Sequence, residues 1–212
     1  MLLYMEKNHA NYILDTLKSL YPDAKCELDY NSAFELLVAV MLSAQTTDKR
    51  VNIVTKELFK YYDDAESLSK AEYDHVYEII KSLGLASSKA KNIIEMSKMI
   101  SSLYKGKVPS TREELCSLPG VGRKTANVVL SVYFKIPALA VDTHVARVSN
   151  RLGLTTNTDP LKIEEDLTNL YDKDEWYNLH HCLIFFGRYK CKAQNPDCSA
   201  CPFKDICKNK TA

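Results

Sequence analysis

An all-α fold is predicted by three features of the chain. Apolar residues recur at intervals of three and four along most of its length, and helix-capping pairs stand at the heads of those stretches. No segment alternates apolar and polar residues as a half-buried strand would. The elements follow in order. Ser32-Ala33-Phe34-Glu35 carries a capping-box signature and opens a segment over 32–44 through Leu36, Leu37, Val40 and Met41. That segment is apolar almost all round, which marks a buried central helix. Helical spacing continues over 48–61, 70–83 and 87–104. Thr111-Arg112-Glu113-Glu114 repeats the capping signature before Leu115 and Leu118, and 123–135 is helical again. Asp142 is placed to cap a helix from Thr143 to Arg151. Asp159-Pro160 sets a capping acid before proline at the first helical position, and 175–190 closes the series. There is no internal repeat and no low-complexity tract.

The bulk composition excludes several classes. With 212 residues, 46% apolar and 26% charged, the chain suits one large domain or two small ones sharing a groove. No apolar run approaches the ~18 residues that a membrane span needs. The N-terminus, Met1 to Lys7, has neither a basic start nor a small-residue cleavage site, so no signal peptide is expected. Seven cysteines in a reducing cytosol then point to a metal rather than to a disulfide framework. The net charge of +1 hides an uneven distribution. Val76 to Lys135 holds ten Lys/Arg against four Glu, whereas Asn157 to Asn178 holds two Lys against seven acids. From Phe186 onward there are six basic residues against two acidic, so a basic face for a phosphate backbone is available.

Cys191, Cys198, Cys201 and Cys207 give the spacing C-x6-C-x2-C-x5-C within 17 residues. Thiolates are soft ligands, and four together suit either tetrahedral zinc or an iron–sulfur cluster. Structural zinc sites usually pair two C-x2-C knuckles, and this loop has one. The wide outer gaps favour a chain wrapped around a larger cubane. Cys26, Cys116 and Cys182 lie in apolar helical contexts and are expected to fill core positions. Lys204, Lys208 and Lys210 flank the loop and offer positive charge to phosphates.

Leu118-Pro119-Gly120-Val121-Gly122-Arg123-Lys124-Thr125-Ala126 separates two helical segments. Pro119 ends the first, and the two glycines permit a tight turn that exposes backbone N–H groups at a helix N-terminus, an anion site suited to a DNA phosphate. A nucleotide-binding P-loop is excluded because Arg123 interrupts the required Gly-Lys-Ser/Thr and no strand precedes the turn. Lys124 lies just inside the second helix. By itself it is one more phosphate-binding cation. Asp142 follows eighteen residues later within Val141-Asp142-Thr143-His144-Val145, and helix capping is sufficient to explain it. Together the two residues have a further meaning. An amine nucleophile beside a carboxylate suits attack on a sugar C1′, the carboxylate supporting positive charge on the sugar as a base departs. His144 reads as an orienting or structural histidine.

At this point the chain resembles the endonuclease III family of DNA-repair enzymes. The stretches that carry the resemblance are Leu42 to Asp48, Gly84-Leu85, Ser88-Lys89-Ala90, Leu118 to Leu130, Val141 to Arg147 and the four-cysteine tail, in one order along nearly the whole chain. The resemblance implies a helix-hairpin-helix DNA glycosylase fold: two helical domains flanking a DNA-binding cleft, with a C-terminal iron–sulfur loop. A six-helix domain would cover 26–136, its hairpin at about 111–135. Residues 1–25 would join 137–212 in a cluster domain, with the cluster loop at 191–207. It further implies that Lys124 forms the Schiff base, that Asp142 is the catalytic acid, and that Gln45 and Leu85 fill the duplex where a damaged nucleotide swings out. Gly120, Gly122, Arg123 and Lys208 would contact the DNA backbone, and the four tail cysteines would hold a [4Fe–4S] cluster. The implied function is base-excision repair by a bifunctional enzyme. It would remove oxidised pyrimidines such as thymine glycol and cleave 3′ to the resulting abasic site by β-elimination. The implied partner is double-stranded DNA with damaged pyrimidines or abasic sites, met by a monomer in the cytoplasm, at the nucleoid.

Three rivals are weaker. An adenine glycosylase of the same fold needs a glutamic acid in the central helix, where this chain has Ala39, and lacks a lysine at the position of Lys124. A cluster-bearing electron carrier and a hairpin module that only binds DNA both leave the Lys124–Asp142 pair without a purpose.

Overall fold

The computed structural model describes residues 2–208, with the side chains of 7–208, so Lys210 lies outside the described residues. Every regular element among them is helical. The chain divides into two compact units, Glu27–Ile136 and a second made of Met1–Cys26 with Pro137–Ala212.

The first unit is built around α2 (Ala33–Leu42), in which every residue from Phe34 to Leu42 is buried. Ser32 starts this helix by accepting a hydrogen bond from Glu35 N at 3.1 Å. Glu35 turns its carboxylate back onto Asn31 N at 2.6 Å, so a buried acid is satisfied by the chain that leads into its own helix. Around α2 lie α3 (Asp48–Leu58), α4 (Ala65–Ser69), α5 (Tyr73–Ile80), α6 (Ala86–Leu103), α7 (Arg112–Ser117) and α8 (Arg123–Val132). Helices α3, α6 and α8 pack directly on α2. The unit thus holds seven helices where six were expected. The additional one, α4, is a short helix made stable by a reciprocal cap between Asp64 and Ser67. The 70–83 segment is helical only over Tyr73–Ile80.

The second unit contains α1 (Leu2–Leu20), α9 (Thr143–Arg151), α10 (Pro160–Leu170) and α11 (Trp176–Tyr189), the last entered through a single 3-10 turn at Lys173–Glu175. Its core joins Ile13 and Leu17 of α1 to Val145 and Val148 of α9 and to Leu183 and Phe186 of α11. Asp159 caps α10 through the N–H groups of Leu161 and Lys162, with Pro160 at the first turn. Phe203, fully buried, stands edge-on to Phe186 with ring centres 5.3 Å apart. That contact anchors the cysteine loop to the core from within.

The three remaining cysteines differ from one another. Cys182 is buried, and burial pushes its thiol up to about 11. Cys26 is half-buried, and Cys116 is exposed, contrary to the expected core position. Helix α7 is too short to bury more than one stripe, and Leu115 takes it.

Candidate functional site

The hairpin begins where α7 stops. Thr111 caps α7, its Oγ1 accepting from Glu114 N at 3.3 Å and donating to the Glu114 carboxylate at 2.6 Å. Arg112 Nε donates to Oδ1 of the buried Asn127 at 2.9 Å, which pins α7 to α8 on either side of the turn. The turn closes with Val121 N on Leu118 O at 3.1 Å. Gly120 takes φ +75, and a Cβ there would meet Asn92 Cβ and Met41 Cε at 2.9 Å. Gly122 is different: its φ is −91 and nothing lies within 4 Å of a Cβ position. The two glycines therefore have separate purposes, one for the bend and its seat on α6 and α2, the other facing open space.

A stability prediction follows from that difference. Gly120→Ala should lower the unfolding free energy by about 1–2 kcal/mol from the left-handed backbone alone, with the contacts on Asn92 and Met41 adding to the loss. Gly122→Ala should leave the urea midpoint nearly unchanged. Equal midpoints for the two variants would contradict this division.

Gly122 is the N-cap of α8 and supplies no side-chain cap, so the first N–H groups of the helix are left to other acceptors. Arg123 and Lys124, both exposed, occupy the first turn. Two cations at the positive end of a helix dipole are locally unfavourable, a balance that a bound anion reverses.

Gln45 and Leu85 are neighbours in the same unit. Both are exposed and both hold left-handed backbones, with φ +56 and +61. Gly84 approaches so closely that its Cβ position is 3.6 Å from Gln45 O. A bulky exposed residue in the left-handed region marks stored strain, found most often where a side chain must be aimed. Leu85 is 58% exposed and serves as N-cap of α6 without a capping side chain.

In the other unit Asp142 is the N-cap of α9, its Oδ1 accepting from Val145 N at 2.8 Å. Its second carboxylate oxygen is not used by that cap. Arg147, one turn on, donates from Nη2 to His144 Nδ1 at 3.1 Å and to Gly187 O at 2.9 Å. Burial pushes the His144 imidazole below its ordinary value; Asp142 opposes this, and Arg147 and Arg188 reinforce it. The histidine is held between Arg147 and the crossing of α9 with α11, a placement suited to an orienting role. Gly187 permits the close crossing, since a Cβ there would meet His144 Cβ at 3.0 Å.

Arg147 and Arg151 also hold the start of the cysteine loop. Arg147 Nε and Nη2 both reach Cys191 O at 3.2 Å, capping the end of α11. Arg151 Nη1 is 3.2 Å from Cys191 Sγ and 2.8 Å from Lys192 O. Cys191, Cys198, Cys201 and Cys207 line one cavity of about 340 Å3. Burial chiefly raises the Cys201 thiol, and the other three sulfurs raise it further, so the four are within electrostatic reach of one another. An all-sulfur donor set with a guanidinium beside one thiolate fits an iron–sulfur cluster, whose ligands must be deprotonated. Lys208 is exposed beyond the last cysteine. Its backbone N donates to Arg151 O at 2.8 Å, and its stem lies over Gly153, where a Cβ would be 2.8 Å from Lys208 Cε.

The four cysteines are thus brought together, as are Gln45 with Leu85 and Gly120 with Lys124. Lys124 and Asp142 belong to different units. Sequence reasoning assigned no role to Lys89, Arg147 or Arg151. A lysine spaced four before Ile93 on the apolar stripe of α6 was the available signal for the first.

Comparison with known proteins extends these observations. Residues 38–173 match the HhH-GPD superfamily of base-excision DNA repair proteins, and residues 191–207 match the iron–sulfur binding domain of endonuclease III. The chain is 52% identical to endonuclease III of Bacillus subtilis (strain 168), over 93% of this chain and 90% of that one. A solved non-covalent complex of an endonuclease III with DNA superposes with TM-score 0.93 at 48% identity, covering 95% of each chain. A trapped covalent endonuclease III–DNA intermediate gives the same values.

Proposed function

The chain belongs to the endonuclease III family of helix-hairpin-helix repair proteins, and on that premise we propose that Lys124 is its nucleophile, Asp142 its catalytic carboxylate and oxidised pyrimidines its substrates. It is a base-excision DNA glycosylase and abasic-site lyase that carries a [4Fe–4S] cluster and acts on DNA. The observation that supports the site is the hairpin: an uncapped helix N-terminus at Gly122 with an exposed amine in its first turn, in a family where a relative has been trapped covalently on DNA.

The chemistry proceeds from these groups. The neutral Lys124 amine attacks C1′ of the flipped nucleotide, and the glycosidic bond breaks as the base leaves with its electron pair. Asp142, negative and fixed by its own cap, supports the positive charge on the sugar. A proton passes from the nitrogen to O4′ as the C1′–O4′ bond breaks and the C1′=N bond forms, opening the sugar to a protonated Schiff base that acidifies C2′. Removal of a C2′ proton then expels the 3′ phosphate, and water releases the lysine. Flipping costs a few kcal/mol and least for a damaged, badly paired base, so lesion selectivity begins before chemistry. Gln45 and Leu85 occupy the vacated stack, and Gly120, Gly122, Arg123 and Lys208 hold the backbone. Cys191, Cys198, Cys201 and Cys207 would hold the cluster, whose contribution would be chiefly architectural, keeping a lysine-bearing loop against phosphates. One chain supplies both reacting groups, so we take the active species to be a monomer, working in the cytoplasm at the nucleoid. Among the described residues no helix is long and apolar enough to cross a membrane.

Borohydride trapping tests the reading. A duplex with one thymine glycol should yield a covalent adduct and a 3′-side nick, and the undamaged duplex neither. Nicking of the lesion strand without any trappable adduct would exclude an amine mechanism.

A further inference from the structure

We propose that Lys89 is a positioning residue whose side chain holds Gln45, a duplex-inserting residue, in the backbone conformation insertion requires. The proposal rests on the reading that Gln45 enters the DNA. Lys89 is only 6% exposed, although lysine is among the residues least often buried. Its ammonium donates to Leu42 O at 2.8 Å, to Ala44 O at 2.7 Å and to Thr46 Oγ1 at 3.3 Å. Three donors thus meet three acceptors, and all three acceptors belong to the turn that carries Gln45.

Each bond acts on that turn. Leu42 ends α2, so its carbonyl is one that the helix leaves unpaired and that its dipole makes attractive to a cation. Ala44 and Thr46 flank Gln45 on either side. With both tied to one buried charge, the backbone between them is held at φ +56, where an unrestrained glutamine would seldom stay. The same residue reaches Leu85 through its own backbone, Lys89 N donating to Leu85 O at 3.0 Å. Ser88 Oγ donates to that carbonyl at 3.0 Å as well. Those bonds close the first turn of α6 behind Leu85 and survive replacement of the Lys89 side chain, which acts on the Gln45 turn alone.

Core filling is the competing explanation, and the chemistry disfavours it. Burial pushes the ammonium below its ordinary value, so the charged form is the costly one here. A methionine would fill the same space without that penalty. The charge is retained where its hydrogen bonds define a loop.

Lys89→Met tests this, with melting temperature recorded alongside. Excision of thymine glycol from duplex DNA should fall by about tenfold to a hundredfold, the loss expected when a positioned group shifts by about 1 Å. Cleavage of a single-stranded abasic oligonucleotide should change by less than about twofold, because no stack needs filling there. A 2-aminopurine opposite the lesion should show weaker unstacking. Lys89→Met added to Gln45→Ala should be no worse than the poorer single variant, since both act through one side chain. Equal losses on duplex and single-stranded substrates, or losses that multiply in the double variant while Gln45→Ala alone is impaired, would overturn the role of Lys89. If Gln45→Ala leaves duplex excision and the 2-aminopurine signal unchanged, the insertion reading itself fails and the proposal with it. Should Lys89→Met fail to fold, Lys89→Gln, which keeps part of the hydrogen bonding, enters the same cycle with the same criteria.

Discussion

Lys124→Gln should remove base release and strand cleavage together, each by at least on the order of 10^3-fold; loss of a covalent nucleophile elsewhere costs up to about 10^6-fold. The two activities fall as one because a single nitrogen begins both. Lys124 is exposed in the first turn of α8 and takes no part in the core, so the variant should fold with an unchanged melting curve. Glutamine retains length and polarity, so duplex affinity should decline only by the electrostatic contribution of one cation. Borohydride should trap no adduct on thymine glycol or on a ready-made abasic site. A trapped adduct forming at the wild-type rate would mean that another amine is the nucleophile.

Asp142→Asn should separate the two activities that Lys124→Gln removes together. The asparagine oxygen still accepts from Val145 N, so the cap of α9 and the fold survive. The negative charge is lost, and with it the support for positive charge at C1′ during departure of the base. Excision of thymine glycol should fall by about 10^2 to 10^4-fold, the range for removal of a positioned acid–base or electrostatic group. An abasic site has no base to expel, so its cleavage should be less impaired, and borohydride should still trap the variant there, slowly. The arrangement around the residue gives this test its meaning. Arg147 and His144 remain in place, so a selective loss reports the charge of Asp142 and not a displaced α9. Equal impairment of excision and abasic cleavage would assign Asp142 to a step common to both.

Several features of the fold are legible along the chain itself. Ser32 with Glu35, Thr111 with Glu114, and Asp142 with Val145 are partners three residues apart, and helix geometry alone brings them into contact. The apolar stripe of α2 and the four cysteines within 17 residues are equally local. Helix ends were less certain. The segments expected to reach 61 and 135 end at Leu58 and Val132, beyond which the backbone bonds tighten or shift into turns, as Tyr61 N on Leu58 O and Phe134 N on Val129 O do.

Sequence by itself determined the all-α class, the capped starts of the helices, the hairpin turn and the thiol set, since each depends on residues within a few positions of one another. Tertiary structure decided the rest. Lys89 binds carbonyls 45 and 47 residues away, and Arg151 reaches the Cys191 sulfur across 40. Gln45 and Leu85 take left-handed backbones that their own side chains disfavour. Cys116 faces outward, against its expected core position. For Lys89, Arg151 and the Gln45 turn the deciding energy comes from a partner distant in sequence, and no local propensity contains it.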